Sequence, residues 1–362
     1  MIQKLTSGKW QARHRPVAGG KQVARNFTRK VDAARWLDEQ KAAVITGQYV
    51  DPKAGQITFK AYAEQWRAAQ VHRTSSQAHV ETMLRRHAYP TLGERPLSSI
   101  LPSQVQAWVK SLELAPKTVG VAHSIVSSVF KAAVRDRRIL ANPCEGTKLP
   151  EVTRARVVPP STEQVEKLRA AMPERLRALV VFAAGTGMRQ GEVLGVTVDR
   201  LQMLRREVLV DRQLVTQVGG PPVLGPPKTK ASVRTIPLAP VVLDAMAAHL
   251  AAYPSEHLVF TTEAGAPISR QTFGHLWRPV AAQAGLEPGT GLHVLRHYFA
   301  SLLIRHGESV KTVQAMLGHA SATETLDTYA HLWPDSSERA RDAVQAVLGA
   351  AADDSLMTGG DR

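Results

Sequence analysis

Prolines and glycines interrupt the chain between residues 143 and 160, and this interruption constrains the possible folds more than any other feature. They are Pro143, Gly146, Pro150, Pro159 and Pro160. Because proline lacks a backbone donor and restricts the residue before it, neither a helix nor a strand continues through such a stretch. A chain of 362 residues is also long for one domain. We therefore predict separate domains on either side of a linker at residues 148–160.

The part before the linker divides into two predicted domains. Residues 1–57 begin with short alternating stretches at 9–13 and 22–27, which indicate strands, and continue with one helical pattern. Residues 58–147 contain several helical stretches separated by prolines, and Thr58 has the character of a helix cap. We predict a small sheet with one helix, followed by an all-helical domain.

A third domain is predicted at residues 161–350. It opens with a capping-box pattern at 161–164, and stretches at 207–215 and 233–238 indicate strands within an otherwise helical region. The fold class is therefore multidomain and mainly α, with a mixed α+β third domain that is mostly helical and carries a small antiparallel sheet. The polar end at 351–362 is expected to be a flexible tail.

Positive charge is concentrated ahead of the linker. The formal net charge is +15, and Lys and Arg exceed Asp and Glu by 11 to 4 in residues 1–57 and by 13 to 6 in residues 58–150. Residues 151–362 are nearly balanced, at 22 to 21. This distribution favours a nucleic acid partner. It indicates two DNA-binding domains ahead of a third domain in which positive and negative charges are nearly equal in number.

Composition argues against several other classes of protein. No run of apolar residues is long enough to predict a membrane span, and the first residues lack the apolar core of a signal peptide. Cys144 is the single cysteine, and no Cys/His cluster has zinc spacing. We expect a cytoplasmic protein with no membrane span, no metal and no cofactor.

Four segments of the third predicted domain contain residues suited to phosphoryl transfer. They are Gly185–Glu192, Pro227–Lys230, His293–His297 and Leu317–Tyr329. Breaking a phosphodiester builds charge on the non-bridging oxygens, which guanidinium groups match in shape and charge. A general acid must protonate the leaving alkoxide, and a tyrosine hydroxyl can attack and conserve the bond energy as a phosphotyrosine. No carboxylate cluster for a two-metal site accompanies these segments, so a metal-free route is favoured.

Any one of these residues alone would more often be a packed or solvated side chain, but their order favours chemistry. The series Arg, Lys, His-x-x-Arg, His, Tyr resembles the tyrosine recombinase family. Its boxes match Thr-Gly-Met-Arg-x-Gly-Glu, His-x-Leu-Arg-His, Leu-Gly-His and Leu-Asp-x-Tyr here. Residues 161–350 are similar to the family's catalytic domain, and residues 58–147 to its core-binding domain. Residues 1–57 are similar to the arm-type DNA-binding domain of phage integrases.

The resemblance implies a role for each residue at the scissile phosphate. Arg189 and Arg296 would clamp the phosphate, and His319 would donate a hydrogen bond to it. Glu192, three residues beyond Arg189, would orient that guanidinium. His297 fits the family pattern, and the sequence indicates no chemical role for it.

The remaining implied roles concern proton transfer and attack. Tyr329 would be the nucleophile that forms a 3′-phosphotyrosyl link, and His293 would assist proton transfer there. Lys228 would be the general acid for the 5′-hydroxyl leaving group. Lys230 lies in the same loop and is an alternative, although the family lysine commonly opens this loop.

Basic residues outside the catalytic series are candidates for DNA binding. The predicted DNA contacts are Lys9, Arg13, Arg15, Lys21, Arg25, Arg135, Arg138, Arg154, Arg156 and Lys230. Those in the N-terminal strands would form a DNA-reading ribbon, and those near the linker would follow the phosphate backbone.

The function implied is that of a site-specific integrase. It would integrate or excise a phage or mobile element through a Holliday junction, without ATP. The implied partners are double-stranded attachment sites, a homotetramer on DNA, and possible accessory proteins, namely a host DNA-bending protein and an excisionase. Three alternatives are an Xer-type recombinase that resolves DNA dimers, a type IB topoisomerase, and a catalytically silent DNA-binding regulator. Residues 1–57 argue against the first, the Leu-Gly-His and Leu-Asp-x-Tyr boxes against the second, and the complete catalytic series against the third.

Overall fold

The structure, a computed structural model, describes residues 1–15, 22–46, 49, 51, 53–71, 74–153, 156–217, 219–333, 341–342 and 344–349. The chain forms two compact units, Met1–Thr153 and Arg154–Arg362, and the division falls inside the predicted linker. The described residues are mostly helical with small antiparallel sheets, as predicted at that level. No helix among them is long and apolar enough to cross a membrane. The predicted tail lies outside the described residues.

A three-stranded antiparallel sheet with one helix opens the first unit. Its elements are β1 (Ile2–Lys4), β2 (Trp10–His14), β3 (Val23–Phe27) and α1 (Lys30–Ile45), and the strands lie in the order β1-β2-β3. Ala12 in the central strand is fully buried beneath α1, and the Phe27 ring packs on Trp36 of α1 with centroids 5.8 Å apart. Small and aromatic side chains thus join the sheet to its helix.

The strand register separates the two faces of this sheet. Ala12 pairs with Arg25, so Arg25 projects to the side that α1 covers. Gln11 pairs with Asn26, and these residues and Arg13 project to the other side. There Arg13 Nε donates to Gln11 Oε1 at 2.6 Å, and Gln11 Nε2 donates to Asn26 Oδ1 at 3.1 Å. The face away from α1 is therefore polar and carries its own hydrogen bonds.

Five α-helices form the rest of the first unit. They are α2 (Phe59–Ala69), α3 (Thr74–Met83), α4 (Tyr89–Leu92), α5 (Pro102–Ser111) and α6 (Pro116–Arg135). Thr58 caps α2, because its hydroxyl accepts from the Ala61 N–H at 3.2 Å. Phe59, Trp108 and Phe130 are buried in one core. Burial of such aromatic side chains stabilises the domain by several kcal/mol.

The second unit surrounds two small sheets with helices. Its helices are α7 (Thr162–Ala171), α8 (Arg177–Thr186), α9 (Gln190–Leu194), α10 (Pro240–Ala252), α11 (Arg270–Gln283), α12 (His293–Arg305), α13 (Val310–Leu317) and α14 (Ala322–Tyr329). Its strands are β4 (Leu201–Gln202), β5 (Glu207–Val210), β6 (Gln213–Val215), β7 (Val223–Gly225) and β8 (Arg234–Pro237). They form an antiparallel sheet β4-β5-β8 and a separate hairpin β6-β7. The predicted capping box is confirmed, since the Ser161 hydroxyl accepts from the Gln164 N–H at 3.2 Å.

The prediction of one continuous strand at 207–215 is wrong. Its two halves belong to different sheets, because β5 pairs with β8 whereas β6 pairs with β7, a strand that the sequence did not indicate. The interruption falls at Asp211, whose carboxylate accepts from Arg200 Nε at 2.8 Å and from Arg212 Nε at 2.7 Å. These ion pairs fix the position of Asp211 between the end of β5 and the start of β6.

Gly187 ends α8 and turns the chain toward Arg189. Its φ of +61° lies in the left-handed region, where a side chain is strained. A Cβ at this position would overlap the Phe299 ring of α12. The Gly187 carbonyl accepts from Arg296 Nη1 at 2.9 Å. Glycine is therefore required both for the turn and for close packing of α8 against α12.

Replacing Gly187 by alanine should lower the free energy of unfolding of the second unit by about 2–4 kcal/mol, because left-handed strain and overlap with Phe299 add together. Urea unfolding of the full chain, followed by circular dichroism, measures the loss. Gly265→Ala is the matched control, since Gly265 has a φ of +73° but open space around it. Its expected loss is only about 1 kcal/mol. Equal losses in the two variants would show that the Phe299 contact is unimportant.

Candidate active site

A buried carboxylate orients the first arginine of the site. Glu192 in α9 accepts from the backbone N–H of Arg189 at 2.9 Å and from Arg189 Nη1 at 3.0 Å. Arg234 Nη2 donates to the same carboxylate at 2.9 Å. Glu192 is 2% exposed, and burial acts to raise the pKa of its carboxyl, but Arg234 and Arg189 hold that pKa below its ordinary value. The predicted support of Arg189 by Glu192 matches this geometry.

Arg234 connects three parts of the site, and the sequence did not indicate it. In addition to Glu192, its Nε donates to the Met316 carbonyl at 2.7 Å and its Nη1 to the Ser232 carbonyl at 2.8 Å. Strand alternation places Arg234 on the same side of β8 as Ile236, which is fully buried. A charged residue at an inward strand position was therefore the available signal.

Arg296 is almost fully buried next to Arg189. It is 1% exposed, and its Nη2 has no hydrogen-bond partner among the described residues. Burial, with repulsion from Arg189 and Arg234, lowers the pKa of Arg296 to about 9. Arg189 and Arg234 pair with Glu192, and Arg296 adds a third guanidinium that forms no ion pair with a carboxylate among the described residues. Buried charge is costly unless it is paired, so the site is suited to an anion.

Tyr329 ends α14 inside the protein. It is 1% exposed, and its hydroxyl oxygen lies 2.8 Å from Nδ1 of His297. The His319 ring stacks over the phenol, with centroids 6.5 Å apart and planes at 13°. Burial raises the pKa of Tyr329 to about 12, although Arg296 acts in the opposite direction. The hydroxyl is therefore protonated near neutral pH in this state.

His319 and His293 occupy different positions around the phenol. His319 is buried, and its Nδ1 lies 2.8 Å from the Thr325 hydroxyl, which fixes the ring. His293 begins α12, is exposed, and packs edge to face on His297 with centroids 4.7 Å apart. The group that contacts the Tyr329 hydroxyl is thus His297, for which the sequence indicated no role. Its position directly after Arg296 was the only available signal.

The two candidate lysines lie on the loop between β7 and β8. Both Lys228 and Lys230 are exposed. The hydroxyl of Thr229 between them lies 2.9 Å from that of Ser232, which is fully buried and accepts from Arg189 Nη1 at 3.2 Å. This hydroxyl pair ties the lysine loop to the arginines. It does not distinguish the two lysines.

The predicted DNA contacts differ in their exposure. Lys21 and Arg154 lie outside the described residues. Arg138 is partly buried, and Arg25 lies over the Phe27 ring at 5.5 Å on the side of α1. Arg13 projects from the opposite face of the sheet. The remaining members are exposed, and they are Lys9, Arg15, Arg135, Arg156 and Lys230.

Similar sequences exist among integrases. The phage integrase family matches residues 161–335, and the phage integrase central domain matches residues 59–149. The prophage phiRv2 integrase of Mycobacterium tuberculosis is 28% identical over 337 residues, covering 90% of this chain and 89% of the relative. The XerC-like tyrosine recombinase of Caldanaerobacter subterraneus is 28% identical over 284 residues, covering 70% of this chain and 72% of the relative.

Solved structures of integrases share the fold. The Tn1549 transposon integrase, in complex with transposon right end DNA, superposes with a TM-score of 0.70 at 23% identity, covering 81% of this chain and 100% of that chain. The lambda integrase tetramer bound to a Holliday junction gives a TM-score of 0.59 at 17% identity, covering 89% of this chain and 96% of that chain.

The helical fold, with a buried arginine near a buried tyrosine, is that of a tyrosine recombinase. The two family matches together span most of the sequence, and the chain belongs to the phage integrase family. It is accordingly a site-specific recombinase, and the Xer-like similarity covers less of it.

The free energy of unfolding of the second unit should increase as the pH rises from about 4 to 6.5. Burial and the nearby Arg296 lower the pKa of His297 from 6.5 to about 4. Between these values the unfolded chain binds a proton that the folded chain does not, so higher pH favours folding. His297→Asn should remove on the order of 2 kcal/mol of this pH dependence. Urea unfolding at several pH values measures the slope.

His306→Asn is the control for this experiment, because His306 is exposed at the end of α12. It should leave the slope unchanged. A slope that His297→Asn does not alter would contradict the assigned cause.

Proposed function

We propose that this recombinase cuts and rejoins DNA at Tyr329, with the scissile phosphate bound between Arg189 and Arg296. The observation that carries the proposal is the buried Arg296 guanidinium, whose Nη2 lacks a protein partner among the described residues. A phosphodiester would accept from that N–H group and neutralise the excess positive charge. Arg189 is less buried than Arg296 and reaches the same phosphate from the start of α9.

The roles of the other residues follow from where negative charge develops during the reaction. Tyr329 attacks phosphorus, and negative charge on the non-bridging oxygens increases in the transition state. The arginines and His319 stabilise that charge. The product is a 3′-phosphotyrosyl link, which conserves the energy of the phosphodiester, so rejoining requires neither ATP nor a metal. His293 assists proton transfer at the nucleophile from its position against His297.

A lysine of the β7–β8 loop acts as the general acid for the leaving 5′-hydroxyl. Lys228 is the first candidate and Lys230 the alternative. Both are exposed and adjoin Thr229, which is connected to Arg189 through Ser232. The loop can therefore bring an ammonium group to DNA that is bound at the arginines.

Integration requires two DNA sites and more than one protomer. The lambda integrase relative is a tetramer on a Holliday junction, and we extend that assembly to this chain as a homotetramer on double-stranded attachment sites. A host DNA-bending protein and an excisionase are further proposed partners. The reaction takes place where the host DNA lies, in the bacterial cytoplasm at the nucleoid.

The N-terminal sheet is proposed to bind a second class of DNA site. Its polar face away from α1 carries Arg13 with Gln11 and Asn26, whose donors and acceptors suit base edges in a groove. The prophage phiRv2 integrase matches 90% of this chain, whereas the XerC-like relative matches 70%. That difference favours an integrase over a dimer-resolving enzyme.

Tyr329→Phe should abolish covalent DNA adducts. Wild-type protein and the variant are incubated in EDTA with a nicked suicide duplex that carries a core site, and adducts are separated on a denaturing gel. We expect an adduct from the wild type only, because the phenylalanine lacks the attacking oxygen. A variant that still formed adducts would exclude Tyr329 as nucleophile.

Arg296→Lys is the companion variant, because it keeps the positive charge but loses the planar fork. It should reduce adduct formation about 10²-fold or more while duplex affinity changes little, since most contacts to DNA lie elsewhere. Wild-type rates in this variant would contradict the proposed phosphate clamp.

Arg13→Ala should weaken binding to an arm-type duplex about tenfold, because one groove contact contributes about 1–3 kcal/mol. Arg25→Ala removes the same charge from the face that α1 covers, and it should weaken binding about twofold or less. Fluorescence anisotropy at constant salt measures both affinities. Equal losses would mean that net charge, rather than the face away from α1, determines binding.

A further inference from the structure

His297 is the one group among the described residues that hydrogen-bonds the hydroxyl of Tyr329. Its Nδ1 lies 2.8 Å from the hydroxyl oxygen, and the two rings meet at 65° with centroids 5.6 Å apart. Since Tyr329 is 1% exposed, this contact takes the place of solvent. An imidazole therefore holds the hydroxyl of the proposed nucleophile.

The direction of this hydrogen bond follows from the charges of the two groups. Burial, with repulsion from Arg296, lowers the pKa of His297 to about 4, and burial raises the pKa of Tyr329 to about 12. Near neutral pH the imidazole is therefore neutral and the phenol keeps its proton. Nδ1 is the acceptor available to that proton among the described residues, so the phenol donates and the ring proton resides on Nε2.

We propose that His297 Nδ1 accepts the proton of Tyr329 as the phenol oxygen attacks phosphorus, which makes His297 a further catalytic residue. The proposal rests on the proposed function of Tyr329 as nucleophile. In cleavage the bond from Tyr329 oxygen to phosphorus forms and the bond from phosphorus to the 5′-oxygen breaks. The phenol proton passes to His297, and the leaving oxygen takes a proton from the lysine of the β7–β8 loop. Rejoining reverses each transfer.

The neighbouring histidines are less suited to this step. His319 lies face to face with the phenol, and its Nδ1 is occupied by Thr325 at 2.8 Å. His293 is exposed and contacts the His297 ring rather than the hydroxyl. His297 is also next to Arg296, whose positive charge opposes protonation until an anion is bound. A phosphate on Arg296 would offset that charge, so the base becomes effective when the substrate arrives.

The experiment distinguishes the loss of a general base from the loss of a general acid. Cleavage rates are measured with the full chain on two suicide duplexes, one with the natural 5′-oxygen at the scissile phosphate and one with sulfur in its place. A thiolate leaves without protonation, so sulfur compensates for a missing general acid but not for a missing base. The variants are His297→Asn, which retains an acceptor near Nδ1 but cannot take up the proton, with Lys228→Ala and Lys230→Ala as acid controls.

We expect His297→Asn to slow cleavage about 10²–10⁴-fold on both duplexes. Alanine in place of the lysine that serves as general acid should slow cleavage of the oxygen duplex. The cleavage rate of the sulfur duplex should be close to that of the wild type. Wild-type rates in His297→Asn, or its restoration by sulfur, would overturn the role of His297 while leaving Tyr329 as nucleophile. Absence of adducts from the wild type on a verified site would instead overturn the proposed function.

Thermal unfolding and duplex affinity establish that His297→Asn is folded and binds DNA. A second variant, His297→Ala, provides an independent test if the asparagine itself perturbs the site. Free imidazole in the buffer should restore part of its cleavage rate, because imidazole can enter the space left by the side chain and accept the proton. No restoration in a folded His297→Ala protein would count against proton acceptance and leave only a structural role.

Discussion

The ion pairs of Glu192 are the interaction on which the catalytic unit depends. One buried carboxylate binds Arg189 at 3.0 Å and Arg234 at 2.9 Å, and these arginines extend to the carbonyls of Gly318 and Met316. The network therefore joins α9, β8 and the end of α13. Removing one partner of such a group leaves an uncompensated buried charge, which typically costs about 3–5 kcal/mol. The fold and the proposed phosphate site thus share the same contacts.

Charge balance supports the proposal that this network binds an anion. Glu192 is matched by Arg234, and the geometry leaves Arg189 and Arg296 in excess. A protein interior tolerates such an excess only when the unfavourable charges are held by the surrounding structure. Burial of α12 provides that support for Arg296, and the Gly187 turn provides a carbonyl for it. The proposed phosphate clamp therefore depends on contacts elsewhere in the unit, which keep the two guanidinium groups in place.

The sequence predicted those features that depend on local order along the chain. The third domain's helical character, its capping box and the series of catalytic side chains could all be read locally. Features that depend on contacts between residues far apart in the sequence could not be predicted. The split of the 207–215 stretch arises because its second half pairs with the later strand Val223–Gly225, and Arg234 acquires its role from contacts to α9 and α13. His297 was visible in the His-x-Leu-Arg-His box, but only the position of α14 brings Tyr329 to its Nδ1.

Burial of the nucleophile has a consequence for how cutting is controlled. A phenol enclosed by His297 and His319 is unreactive toward solvent, because its proton is held and its oxygen is covered. The Tyr329 oxygen also lies close enough to Arg296 for that guanidinium to lower its pKa, and Arg296 is the arginine that we propose binds the phosphate. On the proposed roles, the nucleophile, its proton acceptor and the phosphate-binding guanidinium lie within one buried site, and the substrate supplies the phosphate. An enzyme that must not cleave at random benefits from this order, since the charge that activates the site enters with the substrate.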